Sequence, residues 1–466
     1  MLDLAEKTLK YVERFVSYAE IRAESAVEKR IILKNSNVEA IDTIHASGMC
    51  IRILKDGILS STFVNKPDFT FIKKSVQDAI KTAEASQFML KKPVKLSIEN
   101  FDKTRYDAEQ KIKLENISIE ERLREMLDID KALLGLKIPL RYLEITDEIK
   151  NKYYVNSDGA RIRSFVPRLK FEYMITAIQG NKNEQRNFMF GGSGGWENFK
   201  RWNLLEHITH EAKVLKKLLR APSPPKEKVD IVLSPELVGI ATHESTGHPY
   251  ESDRILGREA AQAGESFVTP NLLRTRIGSD VVNLVDDPTL PGSYGFYLYD
   301  DEGVKAQRRF LIKNGMINDF LMNRETATEF NTKSNGAARA ENWTSEPIVR
   351  MANTFVLPGD HKFDELIEDI KKGVYIKSYM EWNIDDKRFN QRYVGSECYL
   401  ISNGEIKGLV KKPVLEITTP SFWQSIDAVG NDLGFISGTC GKGEPLQGIP
   451  VWFGGPHIRL RNIKLG

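Results

Sequence analysis

Residues 230–249 read DIVLSPELVGIATHESTGHP, and two elements meet in them. Asp230-Ile231-Val232-Leu233 is a short apolar run suited to a strand. Ser234-Pro235-Glu236 is a helix start: Ser as N-cap, Pro at the first helical position, an acid in the first turn. Leu237, Ile240 and Ala241 continue at helical spacing. Gly247 stands where a C′ glycine ends a helix, and Pro249 opposes its resumption. The expectation is a strand followed by a helix that ends at about Thr246, with the chain turning at Gly247.

The end of that helix carries His243, Glu244 and His248. Neutral imidazole is a preferred zinc ligand, and a carboxylate beside a metal can take a proton from water. In the better-known zinc protease pattern the two His lie at i and i+4, about 40° apart on a helix. Here they lie at i and i+5, roughly 140° apart on a continuous α-helix. A regular helix cannot aim both rings at one metal, so the turn at Gly247 must swing His248 back toward His243. On spacing alone the run fits a metal pair and a solvated helix end equally.

Upstream, Ala221-Pro222-Ser223-Pro224-Pro225 is the most proline-dense stretch and marks the expected main domain boundary. It divides the chain into an N-terminal α+β domain, 1–221, and a β-rich domain, 222–466. Two subdomains are expected within the first, about 1–95 and 105–221. An amphipathic first helix ends near Ser17, and residues 18–65 alternate as strands with a hairpin turn at Lys55-Asp56-Gly57. Helices are predicted over 67–85, 117–134 and 203–219, and residues 90–112 read as a connector. Asn156-Ser157-Asp158-Gly159 reads as another hairpin, and 171–178 as a strand. Gly191-Gly192-Ser193-Gly194-Gly195 reads as a flexible loop. It lacks the Lys-Ser/Thr of a phosphate-binding loop, which leaves a hinge or a loop beside a groove. His207 and His210 lie off the apolar stripe of their helix and read as solvated. Downstream of the motif, strand runs dominate, with turns at Asn314-Gly315 and Asn403-Gly404 and short helices at 323–330 and 363–372. Strand runs with segregated helices indicate α+β, not alternating βαβ.

A chain of 466 residues exceeds one ordinary core and implies two or three domains. Its composition, 41% hydrophobic and 28% charged, is that of a soluble globular protein. Sixty-seven basic against 64 acidic residues leave a net charge of +3, which gives no reason to expect nucleic acid as a partner. No apolar run approaches the roughly 18 residues of a membrane span, and the charged N-terminus is not a signal peptide. Cys50, Cys398 and Cys440, odd in number and far apart, argue against a disulfide framework and for a reducing cytoplasm.

A catalytic zinc has three protein ligands and an open position, so two His leave one to find. Cys440 is the candidate. It lies in Ser437-Gly438-Thr439-Cys440-Gly441-Lys442-Gly443, read as a glycine-rich loop able to approach a metal, with Lys442 favouring the thiolate. Cys50 and Cys398, in strand-like runs, fit the role of small buried apolar residues.

With these residues in view, the chain resembles the TldD/PmbA family of zinc peptidases over nearly its whole length. The resemblance rests on His243-Glu244-x-x-Gly247-His248 with Glu251 and Asp253, on Asp300-Asp301-Glu302-Gly303, and on Arg350-Met351-Ala352-Asn353-Thr354. It continues in Gly438-Thr439-Cys440-Gly441-Lys442, in Pro450-Val451 and in Gly454-Gly455-Pro456. It implies that His243, His248 and Cys440 bind zinc and that Glu244 is the catalytic carboxylate. It also implies an N-terminal α+β domain, a β-rich C-terminal domain, and a dimer with a related subunit lacking the ligands, acting on unfolded peptides in the cytoplasm. This chain, with all ligand types, resembles the active partner. It departs from bacterial members in a longer loop after Cys440, where Gln447 stands for a Gln of the compact form, and in Ser245 where Ala is frequent.

The expected function is therefore zinc-dependent hydrolysis of extended peptides held by backbone pairing on a sheet edge near the metal. Glu244 would accept the water's proton and pass it to the leaving amine. Asp300, Asp301 and Glu302 read as partners of the His ligands or as a solvated turn. Arg350 and Asn353 are candidate substrate-binding residues, or else structural. Two rivals stand: Cys440 as a nucleophile with His243 or His248 as base, and a non-catalytic scaffold with a closed zinc site, for which His457 is the one candidate fourth ligand.

Overall fold

The computed structural model describes residues 2–259 and 264–466. One mainly antiparallel sheet runs through residues 18–193. Its strands are β1 (Tyr18–Lys34), β2 (Asn37–Lys55), β3 (Ile58–Val64), β4 (Lys103–Asp107), β5 (Leu140–Asn156), β6 (Arg161–Gln179) and β7 (Lys182–Ser193). The order is β3-β2-β1-β5-β6-β4, with β7 pairing β6 beyond the reach of β4. β1 pairs β5 from Glu20↔Asn156 to Lys34↔Tyr142, so the two expected subdomains share one sheet. The connector expected at 90–112 contains β4, whose parallel pairing with β6 is masked in the sequence by its polar composition, KTRYD.

The turns follow their residues. Asp56-Gly57, Asn314-Gly315 and Asn403-Gly404 all have positive φ at both positions, the requirement of the tight hairpin turn that favours Asn-Gly and Asp-Gly. Helices Phe69–Ala85 and Ile119–Gly135 start where Asp68 and Ser118 accept hydrogen bonds from Thr70 N and Glu121 N. The first helix is shorter than expected, Leu2–Val12. The helices Leu2–Val12 and Phe69–Ala85 pack with the β1–β3 end of the sheet in one core. Ile119–Gly135 and Leu204–Leu218 share a second core with β5 and β6.

After the coil at 221–227, the C-terminal half packs its sheets around the largest core. One six-stranded sheet ends in the antiparallel pair Gln447–Gly455 and Gly434–Lys442. A second centres on Lys228–Leu233 between Lys372–Ile376 and Ile458–Lys464, and a three-stranded sheet joins Tyr379–Ile384, Asn390–Gly395 and Val414–Thr418. The architecture is α+β, as the sequence indicates.

Two sequence readings change here. The stretch 191–195 is no flexible loop: Gly191 and Gly192 are the buried end of β7. Gly191 O accepts hydrogen bonds from Ser437 Oγ (3.0 Å) and Trp452 Nε1 (2.7 Å), tying the N-terminal sheet to the C-terminal one. His207 is only partly exposed, not fully solvated. Its ring packs against Phe188 and Phe190 and bonds the Tyr173 hydroxyl at 3.1 Å, and burial pushes its pKa down to about 4. His210 is half-exposed beside Glu397.

Candidate metal centre

The helix Pro235–Thr242 follows strand Lys228–Leu233 directly, and Ser234 Oγ accepts from Glu236 N as an N-cap. Its middle is buried on every side. The α-helix then stops at Thr242, four residues before the expected end. His243–Gly247 is a π-helical turn, closed by His248 N donating to His243 O. An i→i+5 turn brings residue i+5 back over residue i, so the spacing that fails on an α-helix works here. The two imidazoles stand 4.9 Å apart between ring centroids, at 79°.

Gly247 has an ordinary helical φ of −52° and does not cap the helix. Its role is space. A Cβ there would lie 1.8 Å from Met351 Sδ.

Cys440 comes from strand Gly434–Lys442, not from a loop; only 443–446 turn before the returning strand. Its Sγ lies 3.4 Å from His248 Nε2. The other nitrogen of His248, Nδ1, is 3.0 Å from Glu251 Oε2. That carboxylate makes Nδ1 the protonated nitrogen and turns the Nε2 lone pair toward Cys440. Glu251 is itself gripped by Arg254 Nε at 2.7 Å and Lys442 Nζ at 3.2 Å. Burial favours its neutral form, but Lys442 and then His248 hold it well below the usual carboxylate range.

Burial also raises the Cys440 thiol, yet His248 and then Arg350 outweigh it and bring it to about 7. Lys442 therefore does not act on the thiolate as expected. It bonds Asp253 (2.7 Å) and Val349 O (2.7 Å) and supports Glu251. Burial pushes both imidazoles below their usual range. Cys50 and Cys398 are buried and burial raises their thiols, Cys50 to about 12. They are the inert cysteines the sequence suggests.

The donor atoms of His243, His248 and Cys440 lie within 4.8 Å of one another. A tetrahedral zinc with bonds of about 2.0–2.3 Å needs donors roughly 3.3–3.8 Å apart, and the Cys440–His248 separation already meets this. His243 Nδ1 is buried with no hydrogen-bond partner, an orphan of the kind a ligand resolves. Two imidazoles and a thiolate at neutral pH are a fitting zinc set.

These groups open on a cavity of about 400 Å³. Glu244 lines it and is ion-paired with Arg388 from the turn between Tyr379–Ile384 and Asn390–Gly395. Three end strands border it: β7, Tyr379–Ile384 and Gly434–Lys442.

Other expected residues lie elsewhere. Arg350 is fully buried and donates to Cys440 O and Gln447 O. Asn353 donates to Asp287 O and Ser293 Oγ and accepts from Gly295 N. Neither lines the cavity. They hold the strands behind it, through the bonds just named. Asp300, Asp301 and Glu302 touch no metal-centre residue and are not a solvated turn. All three are buried: Asp300 accepts from Glu302 N, Val304 N and Ala338 N, while Asp301 pairs with Lys152 (2.5 Å) and Glu302 with Arg52 (2.7 Å) of the N-terminal sheet. His457 bonds Asp432 and Tyr375. Arg388 has no signal in the sequence: it sits 144 positions from Glu244 in a polar turn.

Sequence patterns of the PmbA/TldA metallopeptidase match as domain 1 over residues 19–86, the central domain over 112–220 and the C-terminal domain over 226–466. A protein described as a metalloprotease from Methanocaldococcus jannaschii is 32% identical over 462 residues, 98% of this chain and 99% of the relative. The chain belongs to the TldD/PmbA family. A zinc metalloprotease TldD homolog from Saccharolobus solfataricus is 28% identical over 75% of this chain and 77% of its own. The crystal structure of TldE from Thermococcus kodakarensis shares the fold, with a TM-score of 0.75 at 18% identity, covering 99% of this chain and all of that one. No helix among the described residues is long and apolar enough to cross a membrane.

Proposed function

We propose that this member of a metallopeptidase family is a zinc-dependent peptidase acting on extended or unfolded peptides. The observation that carries the reading is the convergence of His243, His248 and Cys440 beside Glu244 in one cavity. Zinc, when bound, polarises a carbonyl and makes a water more acidic. His248 is oriented by Glu251, and the Cys440 thiol is drawn below its usual range to about 7. Glu244 takes the proton of the attacking water and delivers it to the leaving amine nitrogen. The end strands around the cavity offer unpaired backbone to an extended substrate, which favours length and disorder over side-chain sequence. A cavity of this size takes a strand of peptide and not a folded domain. We place the chain in the cytoplasm, working as a dimer with a homologous subunit lacking the ligands.

The test combines metal analysis with peptide hydrolysis. Cys440→Ala should lose zinc while Cys50→Ala and Cys398→Ala keep about one per chain. Glu244→Gln should keep zinc and lose hydrolysis. Full zinc in Cys440→Ala, or wild-type turnover in Glu244→Gln, sinks the assignment. One substrate offered folded and permanently unfolded should be cut only when unfolded.

One observation favours a second reading. Cys440, His248 and Glu251 line up as nucleophile, base and orienting acid. That reading gives His243 and Glu244 no part, although both line the cavity. Hydrolysis that survives complete zinc removal, and is lost in Cys440→Ser, would establish it.

A further inference from the structure

The turn 385–389 is built with unusual care for a surface hairpin. Asp385 accepts hydrogen bonds from Phe389 N (2.8 Å), Asn390 N (3.0 Å) and Asn390 Nδ2 (2.7 Å), and its carbonyl accepts from Arg388 N (2.9 Å). Thr419 Oγ1 donates to Arg388 O at 2.8 Å, and Thr419 N to Phe389 O at 2.8 Å. Asp386 and Lys387, at the tip, are exposed. Arg388 alone turns inward, at a φ of +63° that a side chain rarely adopts.

Arg388 reaches Glu244 and lines the cavity with His243, His248 and Cys440. Its side chain is only 11% exposed. Its Nε–H is buried and donates to nothing within the protein. Arg52, Arg309 and Arg350 also leave a buried Nε without a partner; Arg388 differs from them in lining the cavity with the metal-centre groups. The Arg388 guanidinium, on the cavity wall beside the reacting carboxylate, is placed to present an N–H to an acceptor that enters the cavity.

We infer that Arg388 is a catalytic residue, whose guanidinium binds the oxygen of the scissile carbonyl as it becomes an oxyanion. The assignment rests on the peptidase reading above. A proton leaves the attacking water for Glu244, and the water oxygen bonds the carbonyl carbon. The carbonyl π pair moves onto the oxygen that Arg388 holds. That pair then returns, the C–N bond breaks, and the proton on Glu244 passes to the amine nitrogen. One fixed cation thus serves both charges: it pairs Glu244 before attack and meets the oxyanion once Glu244 is protonated.

The test measures binding as well as turnover, on the full zinc-loaded chain with any partner subunit that co-purifies. An extended peptide and the same peptide with a phosphinate replacing the scissile amide are titrated calorimetrically. Arg388→Ala should keep its zinc and bind the plain peptide within about threefold, but lose about 100-fold in phosphinate affinity. Its kcat should fall by a similar factor with KM little changed. Because Arg388 touches the ligand itself, the phosphinate loss should persist when Arg388→Ala is made on Glu244→Gln. Loss that disappears in that background, or equal loss for both ligands, shows that Arg388 acts only through Glu244 or through folding and overturns the assignment. Arg388→Lys, which keeps the charge but not the fork, carries the same comparison if the alanine variant melts. A wild-type chain that cleaves no peptide overturns the peptidase reading itself. Cleavage by the wild type with unchanged phosphinate affinity in Arg388→Ala overturns only the role of Arg388.

Discussion

Glu251 decides how the imidazole beside it is used. His248 is fixed by one carboxylate oxygen that Arg254 and Lys442 also share. The two cations keep that carboxylate charged despite burial, and its charge keeps the proton on Nδ1. Glu251→Gln retains an oxygen that can accept from Nδ1, but removes the charge and leaves two buried cations facing an amide. Zinc affinity should fall about 10–100-fold, as for other orienting partners of metal-bound His. Competition against a chromophoric chelator measures it, and an affinity equal to wild type would show that His248 needs no such partner. The sequence places Glu251 and Asp253 near the motif, yet assigns Lys442 to the thiolate. The structure puts Arg350 beside Cys440 and sends Lys442 to the acids, a distinction that depends on side-chain direction and not on spacing.

The π turn at His243–Gly247 carries the largest difference between what the sequence says and how the chain folds. Periodicity up to Ala241 is that of an α-helix, and no residue type marks the switch to an i→i+5 turn, so the reading required a break at Gly247. The need for both rings on one side was legible, whereas the means was not. The means depends on Met351, which fills the space a larger residue at 247 would take. Gly247→Ala should therefore push the turn off register and lose both zinc and stability. Shortening the opposing side chain should give the space back: Gly247→Ala with Met351→Ala should bind more zinc than Gly247→Ala alone. Equal loss in both would mean that the glycine serves the backbone and not the contact. Elsewhere elements were legible where local chemistry fixes them, as in the Asp56-Gly57, Asn314-Gly315 and Asn403-Gly404 hairpins and the Ser234 cap. They were hidden where pairing is made at long range by polar residues, as in β4, or where a turn supplies a distant side chain, as at Arg388.

At the scale of the whole molecule, the metal centre depends on how the N-terminal sheet is seated. β7 forms one wall of the cavity while the donors come from the C-terminal half, so the two must be locked together. Beside the Gly191 contacts, the lock is ionic and buried: Arg22, Arg52 and Lys152 from the long strands meet Asp301 and Glu302. Asp-Asp-Glu reads in sequence as partners of the His ligands or as a solvated turn, because the cations that neutralise it lie some 150 to 280 positions away. Burial disfavours the charge on Asp301, but Lys152 and then Arg22 hold its carboxyl far below the usual range. A folded-state value below the unfolded one, about 3.9, means that Asp301 stabilises the fold above that pH and loses this effect as pH falls. Asp300 is shifted the opposite way, by burial and then Glu302, and favours the fold at low pH in both proteins. Asp301→Asn strands Lys152 without its counter-charge, at a cost on the order of 3 kcal/mol. Urea unfolding of wild type and Asp301→Asn should show a gap of that size, flat from about pH 5 to 8 and closing as pH drops below about 4. A gap that widens on acidification would mean the pair opposes folding. A gap near zero at pH 7 would mean the two halves are held by their apolar contacts and the Gly191 hydrogen bonds alone. Peptide hydrolysis in Asp301→Asn should fall earlier in a urea titration than the C-terminal core unfolds, because β7 leaves the cavity before the donors separate.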